Sequence, residues 1–489
     1  MDAVDAAPPD APLPCLPAAG GPYWLEELET VSFQVVCTGP NQLDGDQFEI
    51  QTPPDGLTWD PATRTAAWTP GLNQAAVWFL TVRAKPTNET ITVKIGVADR
   101  FDAPGNVPIV DPEKYPEEFG LPVFHLAYTT IEFDLYHPGT LAYRGGTYQI
   151  EVKHRGNTTA AYPKNSYTLS FPREQKFNEP AYLFAAKRKV CLTTTFDDTS
   201  QLRHRLAFHV WEKLDPAHIF VQAYSAVVYA NGEYLGVYAV TDRITGEMID
   251  DFGYPEDGNL YEAINHHANF KTTRYGGTTP KVSLSEGYEK KEGLPVDDFS
   301  DIIALVDFVA NSSNTDFRNG LPDRLDVRDF QDWWVHSTAI AADDNMEKNA
   351  FVYHDPVGGK WRYIPWDFNG SFGQDWQTFR EPANGNHEGT TNGLWNRMRA
   401  DATFKTPMDQ RYSTAIRNQL SESSLLATFD AWVAEVRPAA LRDERRWLDE
   451  QRNWADWDSR TDFEGYDGET AYVRQWIVDR WAYLRARYP

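Results

Sequence analysis

The stretch that decides the fold is AADDNMEKNAFVYHD at residues 341–355, followed by GKWRYIPWDFNGSFG at residues 359–373. Within it, AFVYHD and KWRYIPWD are rich in aromatic and aliphatic residues, and a turn sequence, Pro356-Val357-Gly358-Gly359, separates them. Two such runs joined by a short Gly-containing connection predict a β-hairpin. The hairpin is expected to bring the polar residues before its first strand into the same cleft as Asp367, which follows its second strand.

Asp344 and Asn349 have the spacing of a protein-kinase catalytic loop, in which the Asp faces the acceptor group and the Asn binds a metal ion. Phosphoryl transfer needs a divalent ion that bridges phosphate oxygens and a group that orients the attacking hydroxyl. Asn349 and Asp367 as oxygen ligands, with Asp344 as the base, satisfy this need. Asp343 is an alternative base, but the spacing to Asn349 favours Asp344.

These residues resemble the CotH kinase family, named for a bacterial spore-coat protein kinase. Its recurring pattern is an Asp-x4-Asn segment, a Tyr-rich strand, an Ile-Pro-Trp-Asp segment and a Phe-Gly pair, which here are Asp344, Asn349, Ile364-Pro365-Trp366-Asp367 and Phe372-Gly373. Three other segments of this chain also resemble the family: RGNTTAAYPKNSYTLSF (155–171), NGEYLGVYAVTDRI (231–244) and GNLYEA (258–263). The resemblance extends roughly from Leu121 to the C-terminus.

The resemblance implies an α+β fold with a two-lobed, atypical protein-kinase-like domain at residues 121–489. The small lobe is expected at about 121–263 and the large lobe at about 264–489. ATP and Mg²⁺ or Mn²⁺ are the implied cofactors, with Asp344 as the catalytic residue and Asn349 and Asp367 as metal ligands. The implied nucleotide-binding residues are Arg155, Gly156, Asn157, Thr158, Thr159, Lys164 and Tyr261.

Two residues depart from the family pattern. Asp242 stands where the family usually has Glu, and Glu262 stands where it usually has Lys. Asp242 keeps the charge, so little follows from it. Glu262 reverses a charge near the expected nucleotide or substrate edge, which leaves the specificity open.

The N-terminal part alternates apolar and polar residues with the period of β-strands, as in SFQVVC (32–37), AAVWFLTVRA (75–84) and TITVKIGVA (90–98). This pattern predicts a small all-β sandwich at residues 23–100. The segment PPDGLTWDPATRTAAWTP (53–70) resembles an immunoglobulin-like repeat of bacterial surface proteins, which implies a spacer or adhesion module. A Pro- and Asp-rich stretch at 101–120 is expected to link it to the next domain.

Cys15 and Cys37 flank one short N-terminal stretch, so we expect a disulfide between them, whereas Cys191 in an apolar run is expected to be a buried free thiol. The Ala-, Pro- and Asp-rich residues 1–22 form an expected linker. Such linkers resemble the tethers of bacterial surface lipoproteins. The resemblance implies an exported, cell-surface or extracellular protein with a lipid anchor upstream of this sequence.

The length of 489 residues exceeds what one hydrophobic core usually supports, which favours two to three domains. The chain has 46 Lys and Arg against 71 Asp and Glu, a formal net charge of −25. This excess of acid argues against nucleic acid and anionic lipid surfaces as partners. Because no run of 18 or more apolar residues occurs, we expect no membrane-spanning helix.

Two other motifs have competing interpretations. Asp251-Phe252-Gly253 spells the kinase metal motif, but it precedes Asp344 and lies in a turn-like segment, so we expect no function for it. His266 and His267 resemble part of a metal cluster, but no second ligand pair lies nearby, and a solvated loop is the favoured interpretation.

The sequence therefore favours an ATP-dependent phosphotransferase that phosphorylates a surface or extracellular protein. One alternative keeps the fold and changes the reaction to adenylyl transfer or ATP-dependent (poly)glutamylation. Another is a catalytically silent cell-surface binding or structural protein. Retention of Asp344, Asn349 and Asp367 together argues against this last alternative. The oligomeric state is left open.

Overall fold

A computed structural model describes residues 15–38, 42–355, 358–389, 391–454, 462 and 464–489. The chain divides into two compact units. The first unit comprises Met1–Ala127, Thr140–Tyr148 and Val227–Leu235, and the second comprises Tyr128–Gly139, Gln149–Ala226 and Gly236–Pro489. The domain boundaries inferred from the sequence stay predictions.

The N-terminal region is all-β, as the period-2 pattern predicted. Its strands are β1 (Pro17–Ala18), β2 (Tyr23–Glu26), β3 (Val31–Gln34), β4 (Val36–Cys37), β5 (Phe48–Gln51), β6 (Thr58–Asp60), β7 (Thr65–Trp68), β8 (Ala76–Ala84), β9 (Thr90–Ala98), β10 (Glu117–Glu118) and β11 (Leu121–Tyr128). A four-stranded sheet has the order β2-β9-β8-β5, and a three-stranded sheet has the order β3-β7-β6. Alternate residues of β3 are buried, and their partners in the apolar core include Trp68, Val82 and Ile95.

The cysteine predictions are confirmed. Cys15 and Cys37 form a disulfide, and Cys191 is a buried free thiol. Strand β1 pairs with β4 through Pro17 and Cys37, so the sheet structure begins inside the segment interpreted as a linker at 1–22. Residues 1–14 of that segment lie outside the described residues.

Strands and helices are mixed in the rest of the chain. In order they are β12 (His137–Tyr143), β13 (Gly146–Arg155), β14 (Ser166–Ser170), β15 (Phe177–Glu179), β16 (Phe184–Lys187), β17 (Lys189–Thr194), α1 (Arg203–Leu214), β18 (Ala223–Ala230), β19 (Glu233–Asp242), α2 (Gly246–Asp250), β20 (Asn259–Ala263), β21 (Tyr288–Glu292), α3 (Ser300–Asn311), α4 (Asn314–Arg324), α5 (Val327–Ala339), β22 (Ala350–His354), β23 (Trp361–Pro365), α6 (Gly393–Ala400), α7 (Ala402–Arg417), α8 (Glu422–Arg452) and α9 (Gly465–Arg487). The α+β content is confirmed, and the two-lobed kinase-like arrangement stays a prediction. No helix among the described residues has the length and apolarity to cross a bilayer.

In the second unit, β13, β14, β17 and β19 pair antiparallel in that order. Every residue of β14 is buried, because a strand inside a sheet covered on both faces has no solvated side. The connection between the neighbouring strands β18 and β19 turns at Asn231 and Gly232. Both have positive φ angles, 51° and 84°, as a two-residue type I′ turn requires.

The β-hairpin predicted from the segments AFVYHD and KWRYIPWD is confirmed. Strands β22 and β23 pair antiparallel from Ala350 opposite Pro365 to His354 opposite Trp361. They belong to a four-stranded sheet of order β21-β20-β22-β23. Pro356 and Val357 of the connecting turn lie outside the described residues.

A buried histidine holds the start of α5. The two ring nitrogens of His218 contact Asp329 at 3.0 Å and Asp332 at 2.9 Å, and its ring stacks on Trp211. Burial alone would lower the pKa of His218, but the hydrogen bonds to the two carboxylates raise it to about 9. The imidazole is therefore charged at neutral pH.

We expect His218 to make the stability of the second unit depend on pH. Because its folded pKa lies above the unfolded value, the stabilisation is fully present below about pH 6.5 and is lost as pH rises through about 9. The shift corresponds to about 3 kcal/mol of unfolding free energy. Urea unfolding at several pH values is expected to show this loss in the wild type and to lack it in His218→Asn. Equal pH slopes in the two proteins would contradict the assignment.

Candidate active site

The hairpin brings Asn349 and Asp367 together at one end of two paired strands. Asn349 immediately precedes β22, and Asp367 follows β23 by two residues. The buried side-chain amide of Asn345 donates hydrogen bonds to three backbone carbonyl oxygens of this end. The acceptors are Asn349 at 3.1 Å, Trp366 at 2.7 Å and Asp367 at 3.1 Å. One side chain thus fixes both predicted metal-binding positions.

Both positions have backbone angles that are uncommon for residues with a side chain. The φ angle is 53° at Asn349 and 58° at Asp367. Asn and Asp tolerate this left-handed region better than most residues, and strained backbone concentrates at functional sites. At both positions, the residue type tolerates a left-handed backbone and also carries a side-chain oxygen that can bind a cation.

Asp344 lies against Asn349. The amide nitrogen of Asn349 donates to Oδ2 of Asp344 at 3.0 Å, and Lys348 Nζ contacts the same oxygen at 2.8 Å. Burial would raise the pKa of Asp344, but hydrogen bonding from His266 and the charge of Lys348 hold it below its usual value. Asp344 is therefore a carboxylate at neutral pH, paired with the predicted metal ligand.

His266 also contacts this cluster, from the turn that follows β20, where its side chain is 29% exposed. Its Nε2 contacts Oδ1 of Asp344 at 3.3 Å, and its Nδ1 contacts Glu347 at 3.0 Å. Hydrogen bonds to these two carboxylates raise its pKa to about 9. Tyr275 packs on the ring at a centroid distance of 4.7 Å. His266 lies three residues after the end of β20. No spacing in the sequence marked it as a partner of Asp344.

Asp343 and Asp251 are placed differently from Asp344. Asp343 is 56% exposed and contacts His387 at 2.8 Å, so it is directed away from the Asn349 contact. Asp251 follows α2 and pairs with Lys187 at 2.7 Å. Both side chains are thus engaged away from the contact between Asp344 and Asn349.

A second carboxylate lies close to Asp367. Asp197 is buried, and its Oδ2 accepts a hydrogen bond from Asn369 at 2.8 Å. Its pKa is raised to about 7, first by burial and then by the negative charges of Asp367 and Asp198. Asp198 itself is held in an ion pair with Arg203 at 2.6 Å. A buried carboxylate with a destabilised charge beside another carboxylate fits a site that a cation completes.

Within the parts of the chain described above, no group of three or more His, Cys, Asp and Glu side chains is arranged to hold a metal ion. The predicted donor set is mixed and consists of the carboxylate of Asp367 and the amide oxygen of Asn349. Mg²⁺ commonly takes one or two protein ligands and completes its shell with water and phosphate oxygens. These residues fit that requirement.

The predicted phosphate loop follows β13. Gly156 has a φ of 125°, and an added Cβ would lie 2.0 Å from Oγ1 of Thr159, so only glycine fits. A short 3₁₀ turn, Thr158–Ala161, begins after the exposed Asn157. The side chain of Thr158 lies outside the described residues. Arg155 at the start of the loop has its guanidinium 5.0 Å from the ring centroid of Trp366, the residue before Asp367.

Lys164 is fully buried and bound by protein groups. Its Nζ donates to Asp443, to the carbonyl of Val237 at 2.7 Å and to Thr195 at 3.1 Å. Burial lowers the pKa of Lys164, and the charge of Asp443 opposes this shift. Three acceptors match the three N–H donors of an ammonium group. A direct phosphate contact by Lys164 would therefore require one of these hydrogen bonds to be given up.

The ion pair between Lys164 and Asp443 is expected to contribute strongly to stability. Lys164→Met leaves the carboxylate of Asp443 buried without its counter-charge, and such changes cost about 3–5 kcal/mol. The matched control is Arg437→Ala, which breaks an exposed pair between Arg437 on α8, the helix that also carries Asp443, and Asp467 on α9. It is expected to cost at most about 1 kcal/mol. Urea unfolding followed by tryptophan fluorescence measures both. Equal costs would show that the buried pair is not stabilising.

Tyr261 lies on β20, in the same sheet as the hairpin, and its hydroxyl binds residues at the start of α3. Its hydroxyl donates to Asp301 at 2.6 Å and lies 3.2 Å from the carbonyl of Asp298. Glu262 beside it pairs with Lys291 at 2.8 Å. The structure therefore brings Asp344, Asn349 and Asp367 together and gives Tyr261 a structural hydrogen bond to α3.

The chain thus combines an α+β fold with Asp344, Asn349 and Asp367 at one end of a hairpin, and its family can be identified. A family model described as CotH kinase protein matches residues 152–484, and the chain belongs to this family. Among curated proteins, it is similar to inner spore coat protein H of Bacillus subtilis strain 168. The two are 23% identical over 342 residues, which cover 69% of this chain and 86% of that protein.

Proposed function

We propose that this chain is an ATP- and divalent-metal-dependent phosphotransferase that phosphorylates a protein outside the cytoplasm. The observation that carries the proposal is the convergence of Asp344, Asn349 and Asp367 at one end of the hairpin. The Asn345 amide donates to the backbone carbonyls of Asn349 and Asp367, and the Asn349 amide donates to Asp344. A purely structural domain has no need of this set. Membership of the CotH kinase family supports the same reaction class.

In the proposed reaction, Asp367 and the amide oxygen of Asn349 would hold Mg²⁺ or Mn²⁺. The ion supplies charge neutralisation at the phosphate oxygens of ATP. Asp344 accepts a hydrogen bond from the acceptor hydroxyl and orients it toward the γ-phosphate. The low pKa of Asp344 makes orientation its main contribution, because a weakly basic carboxylate removes a hydroxyl proton only late in the transfer.

The location proposed for the substrate rests on two observations. The similar protein from Bacillus subtilis is named for the inner spore coat. The disulfide between Cys15 and Cys37 is of the kind that persists in oxidising surroundings. A protein of the cell surface or extracellular space is therefore the proposed acceptor, and a lipid anchor upstream of the sequence stays part of the proposal.

Incubation with ATP labelled separately at the γ-phosphate and at the adenine tests the reaction. The mixture contains Mn²⁺, dephosphorylated casein and free glutamate, and intact mass is measured for every protein present. Gain of the γ-label alone supports phosphotransfer. Gain of the adenine label would assign adenylyl transfer, and a glutamyl mass would assign ligation. Absence of every product would move the assignment to a binding or structural protein.

A further inference from the structure

Two arginines from separate strands converge on one tryptophan beside the candidate metal site. Arg155 ends β13, and Arg243 directly follows β19. Their guanidinium carbons lie 5.0 Å and 5.9 Å from the ring centroid of Trp366. The two cations are therefore no farther apart than the sum of these distances. Trp366 is followed at once by Asp367.

Neither guanidinium is neutralised by a carboxylate in the described part of the chain. Arg155 donates one long hydrogen bond, 3.5 Å, to the hydroxyl of Thr193. Arg243 contacts the indole ring of Trp366. In a chain of net charge −25, ion-pair partners for arginine are abundant. Two half-buried arginines without such partners indicate that the missing anion comes from a ligand.

We propose that Arg155 and Arg243 form a clamp for the polyphosphate chain of the donor nucleotide, with Arg243 as a residue of the site to which the family resemblance assigned no role. The proposal rests on the proposed function for the identity of the donor. Guanidinium groups suit this ligand because their planar N–H donors match phosphate oxygens in pairs. Stacking on Trp366 restricts both side chains, so less conformational freedom is lost when the phosphate binds.

The position of the clamp also fits the chemistry of the site. The charges of Arg155 and Asp367 both act on the buried His204, so both groups lie near this histidine. Phosphate oxygens held by the two arginines would thus lie beside the carboxylate that is proposed to hold the metal ion. The arginines would supply the positive charge on one side of the phosphates, and the ion would supply it on the other.

Calorimetric binding to the full-length protein tests the clamp, with Mg²⁺ present and with ATP, inorganic tripolyphosphate and adenosine as separate ligands. Arg243→Gln is expected to weaken ATP and tripolyphosphate by about 10- to 100-fold, because it removes charge-assisted hydrogen bonds. Adenosine binding is expected to stay unchanged. Arg243→Lys keeps the charge without the paired donors and is expected to give an intermediate loss.

Arg324→Gln is the matched control, since Arg324 also stacks on an aromatic ring, 3.8 Å from the centroid of Phe308, but lies on α4. It is expected to leave all three affinities unchanged. Wild-type affinity of Arg243→Gln for tripolyphosphate, or no tripolyphosphate binding by the wild type, would overturn the clamp. A wild type that binds tripolyphosphate in an Arg243-dependent way but transfers no phosphate would instead overturn the proposed function alone.

Discussion

Asp367→Ala is expected to abolish both phosphate transfer and the metal-dependent part of ATP binding. The change removes the only carboxylate in the proposed donor pair and leaves Asn349, a neutral ligand. A divalent ion held by one amide oxygen binds weakly, because hard cations depend on charged oxygen ligands. Transfer of the γ-label and the Mn²⁺-dependent thermal shift with ATP measure the two effects.

The control for this variant is Asp343→Ala, which removes a carboxylate from the same region without touching the hairpin end. Asp343 is 56% exposed and contacts His387. We expect Asp343→Ala to keep wild-type transfer and thermal shift. Full transfer by Asp367→Ala, or equal losses in both variants, would contradict the assignment of Asp367 as a metal ligand.

Asp344→Ala is expected to lose transfer while keeping ATP binding. Asp344 contacts the amide nitrogen of Asn349, not the amide oxygen that is proposed to bind the ion, so the metal site keeps its donors. The loss expected for a group that orients or deprotonates the acceptor is about 10²- to 10⁴-fold in kcat. Steady-state kinetics of γ-label transfer and ATP calorimetry separate the two quantities.

Asp344→Asn serves as the matched variant, because it keeps the size of the side chain and removes the charge. It is expected to lose transfer to a similar extent. Loss of ATP binding in both variants together with loss of transfer would mean that Asp344 belongs to the metal site. Unchanged transfer in either variant would remove Asp344 from the mechanism.

The part of the site that the sequence predicted is local in the chain. The Asp344–Asn349 spacing and the hairpin before Asp367 lie within one short stretch, so strand propensity and turn chemistry were enough to place them together. The disulfide from Cys15 to Cys37 was predictable for the same reason. The resemblance then supplied roles for residues whose positions local patterns had already fixed.

The contacts that the sequence did not predict join distant segments. Lys164 pairs with Asp443, 279 residues later, and no local pattern on α8 marks Asp443 as its partner. In the structure, Asp443 also lies against Gly236, where an added Cβ would be 1.9 Å from Oδ2 of Asp443. His266 contacts Asp344 across 78 positions of sequence, and sequence separation hides such a contact unless the fold is known.

No pattern in the sequence assigns a role to Asp197. Its role depends on burial beside Asp367 and Asn369, which tertiary packing decides. Likewise, no sequence pattern distinguishes Arg243 from the other arginines of the chain. Asp197 and Arg243 are residue types with ordinary chemistry in isolation, and their positions become informative only beside the hairpin.

Anomalous scattering from Mn²⁺ tests the central claim most directly. Crystals of the full-length protein grown with Mn²⁺ and a non-hydrolysable ATP analogue would be measured above the manganese absorption edge. The account predicts an anomalous peak bonded to Asp367 and Asn349, with phosphate oxygens completing the coordination and Asp344 beside it. A nucleotide and metal bound elsewhere on the chain, with the hairpin end empty, would contradict it.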